Sequence, residues 1–170
     1  MSKENPMTKP RIEKITLNIG TSSEQKDLKN AAYLLKTITG KKPVRTYSKH
    51  RIPTWNLRKG LPIGVKVTIR GKDAEELLKR LLDSVSFKIS KRAFTNHGFS
   101  FGIPEYIQIE GVEYNPKIGI IGLEAAVTFE KPGYRIKRRR LFKKPVPKKQ
   151  QTTKEEIMNY VQKELNVKVE

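Results

Sequence analysis

The sequence predicts an α+β fold: an antiparallel-rich sheet with helices packed on one face and a polar opposite face. Two segments alternate strictly, Ile15, Leu17 and Ile19 in one and Ile63, Val65, Val67 and Ile69 in the other, with mostly polar residues between. Two helical segments follow strands, and each carries a single apolar stripe that needs a sheet to cover. The chain has 170 residues, of which 36% are hydrophobic, which is enough for one core.

Residues 1–10 hold two prolines among polar side chains and read as a flexible arm before a main domain of residues 11–136. From Arg11 a half-buried strand turns Lys14, Thr16 and Asn18 outward. Gly20 to Ser23 turns the chain. Leu28, Ala31, Ala32, Leu35 and Ile38 then recur at helical spacing over Glu24 to Thr39, with Gly40 in the C-terminal cap position. Pro43 to Ser48 is a weak strand, and a Pro- and Gly-punctuated loop runs from Lys49 to Leu61. Ile63 to Arg70 is the clearest strand, with Lys66, Thr68 and Arg70 on its polar side. Asp73 is placed to cap a second helix, and Glu76 to complete a capping box. Ala74, Leu77, Leu78, Leu81, Leu82 and Val85 give that helix a broad apolar stripe.

Between Phe87 and Gly122 the signals are short and turn-rich, and Glu105 to Ile109 is the one strand expected there. Leu123 to Glu130 alternates again, with Ala125, Val127 and Phe129 inward. A basic extension over residues 137–151 cannot bury enough apolar surface to fold alone. Residues 152–170 form a C-terminal helix and tail. Thr152 or Thr153 opens the helix, Glu155 and Glu156 are available for its capping box, and Ile157, Val161 and Leu165 line one side.

The charge is unevenly placed. The net charge is +19, yet the 45 residues from Leu28 to Lys72 and the 19 from Lys131 to Lys149 contain no acid and 22 Lys or Arg. The remaining 106 residues are close to neutral, at −3. Surfaces ordinarily mix both signs, so acid-free windows of this length call for a polyanion. Nucleic acid fits best. An anionic membrane would prefer a basic amphipathic helix, whereas these windows are strands and loops.

An enzyme is not expected, nor is a cofactor. There are no cysteines, which removes thiol chemistry and Cys-based zinc sites. His50 and His97 are 47 positions apart without metal-ligand spacing. Glu75 and Glu76 diverge on a helix, and no phosphate-binding glycine motif occurs. Gly119-Ile120-Ile121-Gly122 has the form of a backbone-clamping loop, but its Ile-Ile centre suits a buried turn better. The first residues lack the apolar run of a signal peptide, and Ile118 to Leu123 is far short of a membrane span, so a soluble cytoplasmic protein is expected. Trp55, between Thr54 and Asn56 in the basic loop, suits a core anchor and an exposed stacking residue equally.

Several blocks carry a resemblance: Arg11 to Gly20, Thr39 to Pro43, Ile52 to Lys59, Pro62 to Gly71, Phe94 to Gly102 and Gly119 to Leu123. Over roughly residues 6–140 the chain resembles the L-five family of large-subunit ribosomal proteins, in its archaeal–eukaryotic branch. The resemblance implies a structural protein that binds 5S rRNA and attaches it in the central protuberance. It also implies contact with 23S-type rRNA, P-site tRNA, neighbouring central-protuberance proteins and, through an intersubunit bridge, the small-subunit head. Asn18, Lys42 and Thr68 match family positions that face 5S rRNA, while Lys41 stands where bacterial members have Gln and suits a phosphate. With Lys14, Thr16, Arg45, Lys66 and Arg70 these form the expected rRNA-binding set. The loop residues Lys49, His50, Arg51, Trp55, Asn56, Arg58 and Lys59 are the expected tRNA contacts. Lys137, Arg138, Arg139, Arg140, Lys143, Lys144, Lys148 and Lys149 are expected to hold RNA without sequence preference. The alternative is a free, sequence-tolerant RNA-binding or RNA-chaperone protein.

Overall fold

A computed structural model describes residues 5–21 and 25–169. The first four residues of the expected arm, the end of the turn before the first helix, that helix's expected start at Glu24, and Glu170 lie outside them. In chain order the elements are β1 (Arg11–Gly20), α1 (Gln25–Thr39), β2 (Val44–Tyr47), β3 (Pro62–Ile69) and α2 (Lys72–Asp83). Then come β4 (Lys88–Ile89), β5 (Phe94–Thr95), β6 (Gly98–Ile103), β7 (Leu123–Glu130), the single-turn α3 (Arg135–Arg138), α4 (Lys154–Leu165) and β8 (Lys168–Val169). The fold is α+β. Six strands form an antiparallel sheet in the order β2-β3-β1-β7-β6-β5, and β4 and β8 make a separate parallel pair.

The core lies on one face of the large sheet. Ile15, Leu17 and Ile19 of β1, Val65, Val67 and Ile69 of β3, and Ala125, Val127 and Phe129 of β7 are all buried there. Leu28, Ala31, Leu34, Leu35 and Ile38 of α1, the Leu77–Leu78–Leu81–Leu82 stripe of α2, and Ile157 and Val161 of α4 close over them in the same cluster. The apolar stripes are thus the reason the helices share one side. Phe99 bridges Phe94 and Phe129 at centroid distances of 5.1 and 6.0 Å, and Tyr160 of α4 meets Phe129 edge-on at 5.5 Å.

Strict alternation would carry Glu13 into the core. A bulge between Ile12 and Lys14 prevents this: Ile12 pairs with Phe129, Lys14 pairs with Thr128, and Glu13 is the extra residue.

Three expectations about elements are corrected. β6 replaces the turn-rich reading of residues 98–103, with Phe99 and Ile103 buried and Ser100 outward. Its glycines are strand residues: a Cβ on Gly98 would collide with the Val127 carbonyl oxygen, so the close approach of β7 excludes any other residue. The strand expected at Glu105 to Ile109 is instead a 3₁₀ turn over Tyr106–Gln108. Helix α2 begins at Lys72 after Gly71, whose φ of 78° suits glycine, so Asp73 lies inside the first turn and forms no capping box. At α4 the box does form, with Thr153 and Glu156 bonding each other's backbone N–H.

Candidate nucleic-acid interface

The long helices α1, α2 and α4 share the core side, and the side chains of the other face stand in cross-strand rows, bordered at the Lys14–Thr128 end by α3 and the extension. Asn18 lies opposite Lys66 on β3 and Glu124 on β7; Thr16 lies opposite Thr68 and Ala126; Lys14 lies opposite Thr128. β6 continues these rows with Gly102, Ser100 and Gly98. The surface is low in relief because glycine, alanine, serine and threonine dominate it. Lys14, Lys66 and Arg70 supply its positive charge, and Arg70 follows directly after β3. Six of the nine expected rRNA-binding residues, Lys14, Thr16, Asn18, Lys66, Thr68 and Arg70, are therefore gathered on this face or at its edge.

The other three lie elsewhere. Lys42 is exposed after α1. Lys41 binds Asp73 at 2.8 Å, and this hydrogen bond, with the lysine's charge, holds the Asp73 carboxyl below its usual range. Arg45 pairs with Val65, so it belongs to the core side of edge strand β2, while Val44 and Thr46 share the side of Lys66. The β6 and β7 members of the open face, above all Glu124 and Ser100, were missed. Alternation of Phe99, Phe101 and Ile103 was the signal that would have found the β6 positions.

The basic loop is a continuation of the β2–β3 hairpin. Ile52 and Leu57 exchange backbone hydrogen bonds at 3.0 Å, and Pro53–Trp55 forms a 3₁₀ turn at the tip. Asn56 closes this turn with φ 53°, a left-handed conformation that asparagine tolerates. The two readings of Trp55 are separated here: it is 69% exposed at the tip. Lys49, His50, Arg51, Arg58 and Lys59 are exposed around it. Gly119 to Gly122 is not wholly buried as expected, because Ile120 is 64% exposed while the backbone of Ile121 accepts a bond from Tyr106 N–H.

The basic extension is tied to the sheet. Glu130 is buried, and accepts from Arg11 at 2.9 Å and from Arg138 at 2.6 Å; Arg138 also reaches Glu13 at 2.6 Å. Arg138 is thus a structural cation. Lys137, Arg139, Arg140, Lys143, Lys144, Lys148 and Lys149 are exposed. Lys131, buried, binds Glu156 at 2.8 Å. Burial acts to raise the Glu156 carboxyl, but the bonds from Lys131 and the Thr153 backbone outweigh it, and the net shift is downward.

Among the described residues no group of three His, Asp or Glu is placed to hold a metal ion, and no helix is long and apolar enough to cross a membrane. The rows of hydroxyl, amide and ammonium groups on a helix-backed sheet define an α+β protein with one polar, cationic sheet face and no catalytic or metal-binding cluster among the described residues. Residues 5–58 match the family model of ribosomal protein L5, and residues 62–160 match the model of that ribosomal family's C-terminus. The chain is 53% identical to large ribosomal subunit protein uL5 of Nanoarchaeum equitans, over 98% of this chain and 99% of that protein. It is 45% identical to the uL5 of Methanococcus aeolicus and 46% to that of Sulfurisphaera tokodaii, each over 94% of the relative and 98% and 97% of this chain. The chain belongs to the ribosomal protein L5 family, in its archaeal form. It is therefore a structural, non-enzymatic constituent of the large ribosomal subunit, with rRNA and ribosomal components as its partners.

Proposed function

We propose that the open sheet face binds 5S rRNA and attaches it in the central protuberance of the large subunit. One observation carries the reading: Thr16, Asn18 and Thr68 are set in register between the cations Lys14, Lys66 and Arg70. Ammonium and guanidinium groups neutralise phosphates without regard to sequence. Hydroxyl and amide groups bond to 2′-hydroxyls and base edges, which gives RNA-specific recognition. Lys41 and Lys42, after α1, and Arg45, on the opposite side of edge strand β2, carry the contact around the edge of the sheet. The hairpin tip around Trp55 reaches P-site tRNA. The extension adds sequence-independent contacts to 23S-type rRNA, and the remaining surface meets neighbouring central-protuberance proteins and the small-subunit head.

The test is a double substitution, Asn18→Leu with Thr68→Val, which keeps volume and removes hydrogen-bonding groups. Each lost bond costs roughly 0.5–1.5 kcal/mol. Selectivity for 5S rRNA over an unrelated structured RNA of equal length is therefore expected to fall about tenfold, with thermal stability retained. An unchanged ratio would assign the face to sequence-tolerant binding of the RNA-chaperone kind.

A further inference from the structure

We propose that Glu124 and Asn18 form a pocket that reads the Watson–Crick edge of one unpaired guanine in RNA. The inference rests on the sheet face being an RNA interface, and names what one corner of it distinguishes. Glu124 is an exposed carboxylate on the face that otherwise carries Lys14, Lys66 and Arg70. Its described partner is the Asn18 amide, whose Nδ2 stands 3.5 Å from Oε2, a long contact that leaves the carboxylate nearly all its accepting capacity. Lys66 lies beyond Asn18, two strands away and about 10 Å across the sheet backbone, and forms no ion pair with Glu124 among the described residues.

Such a group repels phosphate, so it suits a ligand that brings donors. Beside it is a cavity of about 490 Å³ lined by Asn18, Glu124, Gly20, Gly102 and Gly122. A Cβ on Gly20 or Gly102 would meet nothing within 4 Å, so the missing side chains leave the space open. The cavity is an open depression on the sheet surface, roomy enough to admit one base.

Guanine is the base whose edge presents two adjacent donors, N1–H and N2–H, beside an acceptor, O6. The carboxylate accepts both donors, and the Asn18 Nδ2 donates to O6. Adenine would oppose its N1 lone pair to the carboxylate, and uracil offers one donor between two acceptors. A guanine within a strand is favoured over a free nucleotide, because Lys66 and Lys14 stand nearby to hold flanking phosphates.

The test uses hairpin RNAs identical except for one bulged nucleotide, G, A, C or U, with GMP as competitor, on the full chain and on Glu124→Gln. Wild-type protein is expected to prefer the bulged G over the bulged A by about tenfold or more. Glu124→Gln, which keeps the shape but loses an acceptor and the repulsion of phosphate, is expected to bring the two within about twofold, with bulged-A affinity equal to or above that of the wild type. A wild type without preference, a preference that survives the substitution, or GMP binding more tightly than the bulged-G hairpin would overturn the inference. If wild type binds 5S rRNA but shows no guanine preference, the inference alone falls. If it binds neither 5S rRNA nor any hairpin, the reading of the face falls with it.

Discussion

Lys131 is buried at the end of β7, and one carboxylate, Glu156, meets its ammonium. The same carboxylate accepts the backbone N–H of Thr153 to close the capping box of α4, so one side chain secures both a helix start and a buried cation. Its folded-state acidity lies below that of an ordinary glutamate, so the unfolded chain binds the proton more readily. The stabilisation is therefore complete at neutral pH and is lost as pH falls below about 4.5 and through the folded value. Glu156→Gln keeps the volume and an acceptor for the cap but leaves Lys131 without its counter-charge. Because Glu156 is partly exposed, the expected cost at neutral pH is modest, roughly 1–2 kcal/mol. Urea unfolding of both proteins across pH checks this, and the gap between them should narrow as pH falls below about 4.5.

At the scale of elements, the β2–β3 hairpin separates packing from function. Its ladder runs on through Ile52 and Leu57, while Trp55 and its surrounding cations contribute little to the core. Replacing Arg51, Arg58 and Lys59 by Ser should leave melting temperature and most 5S rRNA binding intact, and weaken P-site tRNA retention in assembled ribosomes. Collapse of 5S affinity with normal tRNA retention would move the hairpin into the rRNA interface. β1, β3, β7, α1, α2 and α4 were legible in the sequence because their apolar periods are 2 or 3.6 with few interruptions, whereas the single turn α3 has no apolar stripe to show it. β6 was not, because Gly98 and Gly102 resemble turn punctuation, and the demand for glycine at position 98 comes from the backbone of β7, a tertiary neighbour. The bulge at Glu13 is likewise a tertiary fact, since the residues that reward it, Arg138 and the pairing of Ile12 with Phe129, lie more than a hundred positions away. The candidate site was half visible for the same reason: Lys14, Thr16, Asn18, Lys66 and Thr68 sit on legible strands, whereas Glu124 gains meaning only when β7 is placed beside β1.

Across the whole molecule the positive charge divides into cations that hold the protein together and cations left for RNA. Arg138 shows the division within a single run: it clamps Glu13 and Glu130, anchoring the extension to the sheet, while Lys137, Arg139 and Arg140 beside it are exposed. Deleting residues 137–149 would therefore confound two effects, since it would also leave buried Glu130 with Arg11 as its one described partner. The cleaner variant replaces Lys137, Arg139, Arg140, Lys143, Lys144, Lys148 and Lys149 by Gln and retains Arg138. Each phosphate contact contributes a salt-log slope of about 0.7–0.9, because bound cations release counterions. Seven fully engaged cations would thus flatten the slope by roughly 5–6, and partial engagement by proportionately less. The loss should fall on 5S rRNA and unrelated RNAs alike, so affinity drops while their ratio holds. That outcome contrasts with the Asn18 and Thr68 substitutions, which should change the ratio and leave the salt slope in place. Binding measured against salt concentration for both RNAs separates the two, and an unchanged slope in the seven-fold variant would mean that the extension does not touch RNA.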